Sequence, residues 1–441
     1  MLVNTHILKL GLVLPLMVLT FSAKAQNREW ELEACIDTAF VHNKNILMAK
    51  NQTDIAGLKN QEAKAQLIPK LFLQGDYRYY TDLPYQLLPQ AAFGGQEGVF
   101  RPIQFGVPNN ISANLSFKMP IYDPQIMGGI KVSESYEALS SLQESKSREQ
   151  IYFEISNLYY NAQILKNKLA FIEQNLENSQ KLQKNIQLLY EQTMVQKTEL
   201  DKVVLQNQQL QTQRSQIMRQ YESVLNLLKF SMGIETDRDF DVLSTIHKPE
   251  EEYLESKNIL DILIQESKYK IVQQELKTLH NSRIPQLSLY GNYGTTGFGF
   301  NGEPEAFLDF YRVSFVGIQL NYPLFSGTVT QKKIRVKKYE LANSQLQKDF
   351  VNEQTLVLSQ NAQLKQDQAE QQLQTNLSQI ALAESVYQRT LLHQREGIAS
   401  LTEVLLADNA LRDSQQQYLS AMVEYLTATL EIKKLNGTLL N

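Results

Sequence analysis

The decapeptide IPKLFLQGDY at residues 68–77 recurs as IPQLSLYGNY at residues 284–293. In both copies the residues of odd number are apolar or glycine, and most residues of even number are polar. A period of two residues is typical of a β-strand that has one apolar face and one polar face. The recurrence predicts that the chain uses the same strand in two equivalent places.

A second alternating run follows each copy after a loop that contains glycine, proline and asparagine. We predict strands over about residues 70–80, 111–119, 286–295 and 311–322. The apolar residues change phase near Val316, and we predict a β-bulge at that point. Prolines mark the predicted transitions between strand and helix, at Pro69, Pro120, Pro285 and Pro323.

The helical segments are also repeated. MVQKTEL at residues 194–200 corresponds to IASLTEV at residues 398–404, and Gly233 and Gly437 have the same separation. Self-similarity over so long a period indicates duplication of one unit. The predicted organisation is a signal peptide, a first structural repeat, a linker, a second repeat and a tail, at residues 1–25, 26–233, 234–256, 257–437 and 438–441.

Each repeat contains a long helical hairpin, predicted over about residues 130–230 and 328–436. Proline is absent between residues 130 and 190, where the apolar side chains are spaced by four and three residues in turn. That spacing is the seam of a coiled coil. Residues of the first seam include Ile151, Ile155, Leu158, Ala162 and Leu165.

The N-terminus has the pattern of an export signal. Lys9 precedes an apolar run at residues 10–21, and Ala23-Lys24-Ala25 follows, which is typical of a signal peptide cleaved before Gln26. The formal net charge of −4 excludes the strongly basic character of a nucleic-acid-binding protein. Cys35 is the single cysteine, so no intrachain disulfide can form, and we predict a buried thiol.

The sequence contains no recognisable catalytic, metal-binding or cofactor-binding motif. Its histidines do not follow a metal-ligand spacing such as H-E-x-x-H. GFGFNG at residues 297–302 fits a dinucleotide-binding pattern, but it leads into Glu303 and Pro304 and then into a predicted strand. A pyrophosphate would need the N-terminus of a helix there. We therefore predict that the protein is not an enzyme and requires no cofactor.

Four strands of about ten residues are long enough to cross a bilayer, but too few to close a barrel. An open sheet edge in hydrocarbon leaves backbone groups unpaired, each at a cost of several kcal/mol. Several copies of the chain would therefore have to share one barrel. Its polar inner wall would include Gln74, Asp76, Arg78, Ser288 and Asn292.

The ordered set of features resembles the TolC-type outer-membrane efflux channels. It comprises the tandem halves, the strands ending in FKMPIYD and LNYPLFSG, the turns VQKTELDKV and IASLTEVLLADNAL, and the C-terminal LNGTL. The resemblance implies a mainly α-helical homotrimer with a 12-stranded barrel in the outer-membrane lipid and a helical tunnel in the periplasm. It also implies two partners, a periplasmic adaptor protein and an inner-membrane pump.

The resemblance further implies functional residues at the hairpin tips. Family members carry acidic residues just after the turns, where they ring the closed periplasmic entrance, and Glu199 and Glu403 occupy those positions. A second family acid falls on Leu406, with Asp408 nearby but out of register. The tyrosine and arginine of the family's closing links are replaced by Gln394 and Ala399. Predicted contacts with the adaptor are Met194, Val195, Gly397, Ile398 and Ser400.

Alternative interpretations remain open at this point. The glutamates could instead act as stabilising charges at helix N-termini. The chain could also be a periplasmic coiled-coil adaptor or scaffold without a pore, in which the strands would form small soluble sheets, or a surface-anchored helical bundle. Two hairpins, each preceded by alternating strands, favour the channel.

Overall fold

The computed structural model describes residues 29–246, 259–300, 302 and 309–440. The predicted signal peptide lies outside the described residues, as does most of the linker. Within the described residues the chain forms seven α-helices and eight strands.

The first repeat opens with three short elements and then alternates strands with very long helices. Its elements are β1 (Glu29–Trp30), α1 (Leu32–His42), α2 (Lys44–Ala65), β2 (Lys70–Tyr79), β3 (Tyr85–Pro89), β4 (Phe100–Gln104), β5 (Asn109–Tyr122), α3 (Pro124–Glu191), α4 (Lys197–Met232) and β6 (Asp241–Val242). The second repeat keeps the order of a helix, two strands of the sheet and two long helices, and within the described residues it has no counterpart of β1, α1, the β3–β4 hairpin or β6. It consists of α5 (Leu260–Asn281), β7 (Gln286–Gly299), β8 (Asp309–Asn321), α6 (Val329–Arg395) and α7 (Leu401–Leu435).

The ends of the helices follow from local sequence. Asn43 caps α2 by accepting hydrogen bonds from the backbone N–H groups of Asn45 and Ile46, at 2.8 and 3.2 Å. Asp123 caps α3 in the same way, and Pro124 occupies the first helical position, where its missing N–H group costs nothing. Helix α3 has 68 residues and α6 has 67, so each spans about 100 Å.

The four long strands form one antiparallel sheet in the order β2-β5-β7-β8. Because the register is continuous, each face of the sheet is consistent from strand to strand. Leu73 lies opposite Leu115, which lies opposite Tyr293 on the apolar face. On the polar face, Gln74 lies opposite Asn114. The predicted lumen residues Gln74, Asp76, Arg78, Ser288 and Asn292 all lie on this polar face.

Two details of the strands differ from the sequence prediction. The predicted bulge near Val316 is wrong, because β8 pairs with β7 without a register shift. The apolar residues of β8 that precede Val316, namely Tyr311, Val313 and Phe315, instead lie on the otherwise polar face of the sheet. The irregularity lies in β5, between Pro120 and Tyr122. Pro120 is therefore inside a strand rather than at the transition to helix, which begins with the Asp123 cap.

A layer of four helices continues the sheet in the same order. Contacts run from α2 to α3, from α3 to α5 and from α5 to α6. Helix α2 leads into β2, and β8 leads into α6, so the two edges of the sheet coincide with the two edges of the helical layer. The described part of one chain is therefore an open segment with two free edges.

The largest apolar core lies where α1 packs between α3 and α4, next to the parallel pair formed by β1 and β6. Cys35 is completely buried there, as predicted, and burial raises the pKa of its thiol to about 12. The remaining clusters follow the helical seams. Across the described ranges, no helix has a segment long and apolar enough to span a membrane.

Candidate functional site

The two hairpin turns have the same backbone geometry. Helices α3 and α6 each end in a residue with positive φ, Thr193 at 59° and Gly397 at 75°. In each turn the next N–H group donates back to a carbonyl five residues earlier, from Met194 to Leu189 at 2.9 Å and from Ile398 to His393 at 2.8 Å. These bonds satisfy carbonyl groups that the helix end leaves free. The duplication therefore includes the backbone conformation and the hydrogen bonds of the hairpin tips.

The five residues predicted to contact an adaptor divide into two groups. Met194 and Ile398 project from the tips, with 69% and 71% of their surface exposed. Gly397 supplies the left-handed turn and has open space around it. Val195 packs against the apolar cluster below, and Ser400 caps α7. Only Met194 and Ile398 thus offer large apolar side chains to a partner.

One apolar cluster joins the two hairpins near their tips. Tyr387 from α6 and Val404 from α7 pack with Ile186 from α3 and Val203 from α4. These four side chains are at most 3% exposed. The two hairpins are thus held together as one unit within a single chain, and the tips cannot move independently without opening this cluster.

The two candidate gate glutamates have different surroundings. Glu403 is exposed and forms a capping box with Ser400, accepting from the Ser400 N–H group at 2.7 Å while its own N–H group donates to the Ser400 hydroxyl at 3.3 Å. Glu199 is partly buried, accepts a hydrogen bond from Lys202 at 2.9 Å and makes no such box. The geometry therefore gives Glu403 a capping role, whereas Glu199 has only a side-chain ion pair.

Asp408, the third candidate, is buried rather than displayed at the tip. Its carboxylate accepts hydrogen bonds from Gln206 on α4 and from Arg412 on its own helix, the latter at 2.6 Å. Burial raises the pKa of Asp408, and Arg412 and Gln206 act in the opposite direction. The contact with Gln206 makes Asp408 a polar link between the first hairpin and the second.

Sequence analysis did not identify the partners of this link. Arg412 lies four residues after Asp408, and this spacing places the two side chains next to each other on a helix. The pairing of Asp408 with Arg412 could therefore be predicted from the sequence. Gln206 lies 202 residues away in a glutamine-rich helix, and no local pattern distinguishes it from its neighbours. Tyr387 packs close by, and burial together with the Asp408 charge raises its pKa to about 12.

Both free edges of the segment carry the signs of a missing neighbour. β2 and β8 each pair on one side only within the described chain, and every residue of β2 is exposed. Helix α6 presents an apolar stripe with heptad spacing, in which each side chain is between 53% and 76% exposed: Val329, Val336, Tyr339, Leu346, Phe350, Val357 and Leu364. Helix α2 presents a shorter stripe on the other edge, formed by Met48, Ile55 and Leu58.

Comparisons with known proteins agree with this architecture. Residues 261–438 match the family model described as outer membrane efflux protein. No curated protein matches the full sequence.

Solved structures share the fold over nearly the whole chain. The outer membrane protein VceC from Vibrio cholerae is 15% identical, with a TM-score of 0.74, and the match covers 92% of this chain and 96% of that one. The Campylobacter jejuni CmeC outer membrane channel is 14% identical, with a TM-score of 0.75 and coverage of 94% and 86%. The open state of the Neisseria gonorrhoeae MtrE outer membrane channel is 13% identical, with a TM-score of 0.72. These matches confirm the predicted fold class.

Proposed function

We propose that this chain, which matches the outer membrane efflux protein model over residues 261–438 and shares the fold of outer membrane channels, assembles with two further copies into the exit duct of a tripartite efflux or type I secretion system. The duct is a passive channel. It crosses the outer membrane as a β-barrel and continues into the periplasm as a helical tunnel, after residues 1–25 have directed export.

The main support for this proposal comes from the two free edges of the sheet, β2 and β8. Strand β8 of one copy and β2 of the next run in opposite directions, since the sheet alternates direction across its four strands. Their pairing would continue the antiparallel sheet and remove the unpaired backbone groups that hydrocarbon does not tolerate. The same step would bring the stripe on α6 against the stripe on α2 of the neighbour. One head-to-tail contact thus completes both layers, and such a contact closes into a ring when the rotation between copies is a whole fraction of a turn.

The number of copies follows from the space inside the barrel. Two copies would supply 8 strands, and a barrel of that size is filled by its own side chains. Three copies supply 12 strands and leave room for solutes to pass. The same three copies supply 12 helices to the adjoining tunnel wall.

The partners follow from the length of the hairpins. The tips lie about 100 Å from the sheet, at the far end of α3 and α6. An inner-membrane pump and its periplasmic adaptor would meet the duct there. The exposed Met194 and Ile398 are the apolar side chains that an adaptor would cover.

Assembly and conduction test the proposal together. The purified protein is expected to run as a trimer by light scattering in detergent and to form ion-conducting pores in a planar bilayer. A mature chain that stays monomeric and soluble without detergent would contradict the proposal and favour a periplasmic scaffold.

The acidic residues at the tips predict selectivity for cations at the periplasmic entrance. Three copies would place Glu199 and Glu403 in rings of six carboxylates at a narrow opening, where the field of the charges is concentrated. The E199Q/E403Q variant is expected to show weaker preference for potassium over chloride in reversal-potential measurements. Glutamine retains the capping geometry at residue 403, so the fold is preserved. Unchanged selectivity would leave both residues with helix-stabilising roles only.

A further inference from the structure

Two lysines face each other across adjacent strands at one end of the sheet. Lys70 at the start of β2 lies directly opposite Lys118 in β5, and both belong to the polar face. On the next strand, β7, Tyr290 lies opposite Lys118, so Lys70, Lys118 and Tyr290 form one row across the sheet. The ring of Tyr290 lies over Gly317 in β8, where a Cβ atom would come within 3.0 Å of it. The row therefore presents two ammonium groups beside an aromatic ring.

Neither ammonium group has a counterion within the part of the chain that the structure describes. Among the described residues, no carboxylate lies within 4 Å of Lys70 or Lys118, and both side chains are exposed. The acids in the four strands are Asp76 and Asp309. Asp76 is about 20 Å further along β2 at 3.3 Å per residue, and it is paired with Arg78 at 2.7 Å. Asp309 belongs to that same distant end, at the start of β8.

This arrangement is unfavourable for the sheet itself. Like charges directly opposite each other on antiparallel strands destabilise the pairing. The lysines also stand at the end of the sheet from which α2 and α3 extend, so the charge is concentrated where the barrel would join the tunnel. Helix α6 begins at the same end, and its first turns add Lys332, Lys333, Arg335 and Lys338, whereas Lys337 is paired with Glu275 and Glu340.

We propose that three copies of this lysine pair form a ring of six positive charges inside the base of the barrel, and that this ring favours anionic solutes there, in series with the acidic residues that favour cations at the periplasmic entrance. The inference rests on the proposed trimeric duct. Rings of lysine or arginine favour anions in pores, because the side chains replace part of the anion's hydration.

The next row of side chains on the polar face, further from the helices, is aromatic at both edges of the sheet and indicates a narrower class of solute. On the polar face it contains Phe72 and Phe315, and the ring of Phe315 packs edge-on against Tyr290 with 5.9 Å between centroids. Aromatic side chains facing a pore offer an apolar surface next to the cationic ring. The geometry favours amphipathic solutes that carry a carboxylate, sulfate or phosphate group together with an apolar body.

Reversal potentials in a potassium chloride gradient measure the effect of the ring on the trimer in a planar bilayer. The K70Q/K118Q variant is expected to lower the chloride-to-potassium permeability ratio by about tenfold at low salt, at the lower end of the effect of a charged cleft. The difference should nearly vanish at 1 M salt, where the Debye length is about 3 Å. Inorganic triphosphate is expected to block the current of the unmodified channel and not that of the variant.

Two comparisons separate the possible outcomes. The K70R/K118R variant keeps the charge and is expected to keep both the permeability ratio and the block by triphosphate. If the glutamine variant conducts with unchanged selectivity and is still blocked, the lysine ring does not select anions, although the duct stands. If the unmodified trimer does not conduct at all, the proposed duct itself is wrong.

Discussion

Replacement of Phe350 by glutamate is expected to convert the trimer into monomers. Phe350 is 58% exposed in the single chain and lies in the middle of the apolar stripe on α6. In the ring it would pack against α2 of the next copy, so each of three interfaces would bury an unpaired carboxylate. An uncompensated buried charge costs about 3 to 5 kcal/mol, which is large against the stability of an interface. Light scattering in detergent measures the loss of trimer.

Two further variants show whether the position or the charge is responsible. F350L keeps an apolar side chain in the stripe and is expected to remain trimeric. F350Q places a polar but uncharged side chain at the same position and is expected to weaken the trimer less than F350E does. A trimeric F350E protein would show that α6 does not form the interface between copies.

Removal of the Asp408 carboxylate is expected to loosen the hairpin tips and increase the conductance of the channel. Asp408 links α7 to Gln206 on α4, and a hydrogen bond to a charged group contributes about 1.5 to 3 kcal/mol. The D408A and Q206A single variants and the double variant form a cycle whose coupling energy isolates this link. We expect D408A to be the more destabilising of the two, since it also removes the carboxylate partner of Arg412, which keeps its bonds to Asn409 at 2.7 Å and to the backbone carbonyl of residue 408 at 3.4 Å.

The same link predicts a dependence on pH. Burial holds the pKa of Asp408 above its usual value, so the native chain binds this proton more tightly than the unfolded chain does. The group's contribution to stability is therefore full below about pH 3.9, the usual aspartate pKa, and is lost as the pH rises through the raised value. The protonated carboxyl group can still accept the hydrogen bonds from Gln206 and Arg412, without the cost of a buried charge. Acid is thus expected to strengthen the link between the hairpins.

The other charged and titratable groups near Asp408 do not produce this effect. They are Arg412 on the same helix, Tyr387 on α6, whose raised pKa keeps it neutral, and Arg395 near the tip. The expected observation is a conductance that falls as the pH falls from 7 towards 4, because protonation of Asp408 strengthens the link between the hairpins. D408N should show the same conductance at every pH in that range. If D408N retains the pH dependence, another group controls the tips.

The strands illustrate how far local sequence pattern reaches. Alternation in IPKLFLQGDY and IPQLSLYGNY correctly predicted which side chains share the polar face, because side-chain direction in a strand depends only on position along it. The phase change near Val316 was read as a bulge, yet β8 is regular. The pattern arises because β8 carries apolar residues on the otherwise polar face before Val316 and on the apolar face from Val316 onwards. A bulge would produce the same change of phase, so alternation alone does not distinguish the two.

At the hairpin tips, the sequence predicts the backbone geometry but not the surroundings of individual side chains. The matching turns predicted two equivalent hairpins, and the structure reproduces one backbone geometry in both. The glutamates that follow the turns look equivalent in sequence, but one forms a capping box and the other pairs with a lysine. Asp408 is a gate candidate in the sequence, near the family position but out of register, and it is buried, since the rotation of α7 against α4 is set by packing across both hairpins.

The sequence by itself determined the duplicated plan, the two faces of each strand, the long hairpins and the shortage of strands in one chain. These follow from periodicity and from counting, which need no partner in space. Only the tertiary structure decided that Lys70 faces Lys118 and that Gln206 reaches Asp408. Contacts of this kind depend on strand register and helix rotation, which are settled by the packing of many distant residues together.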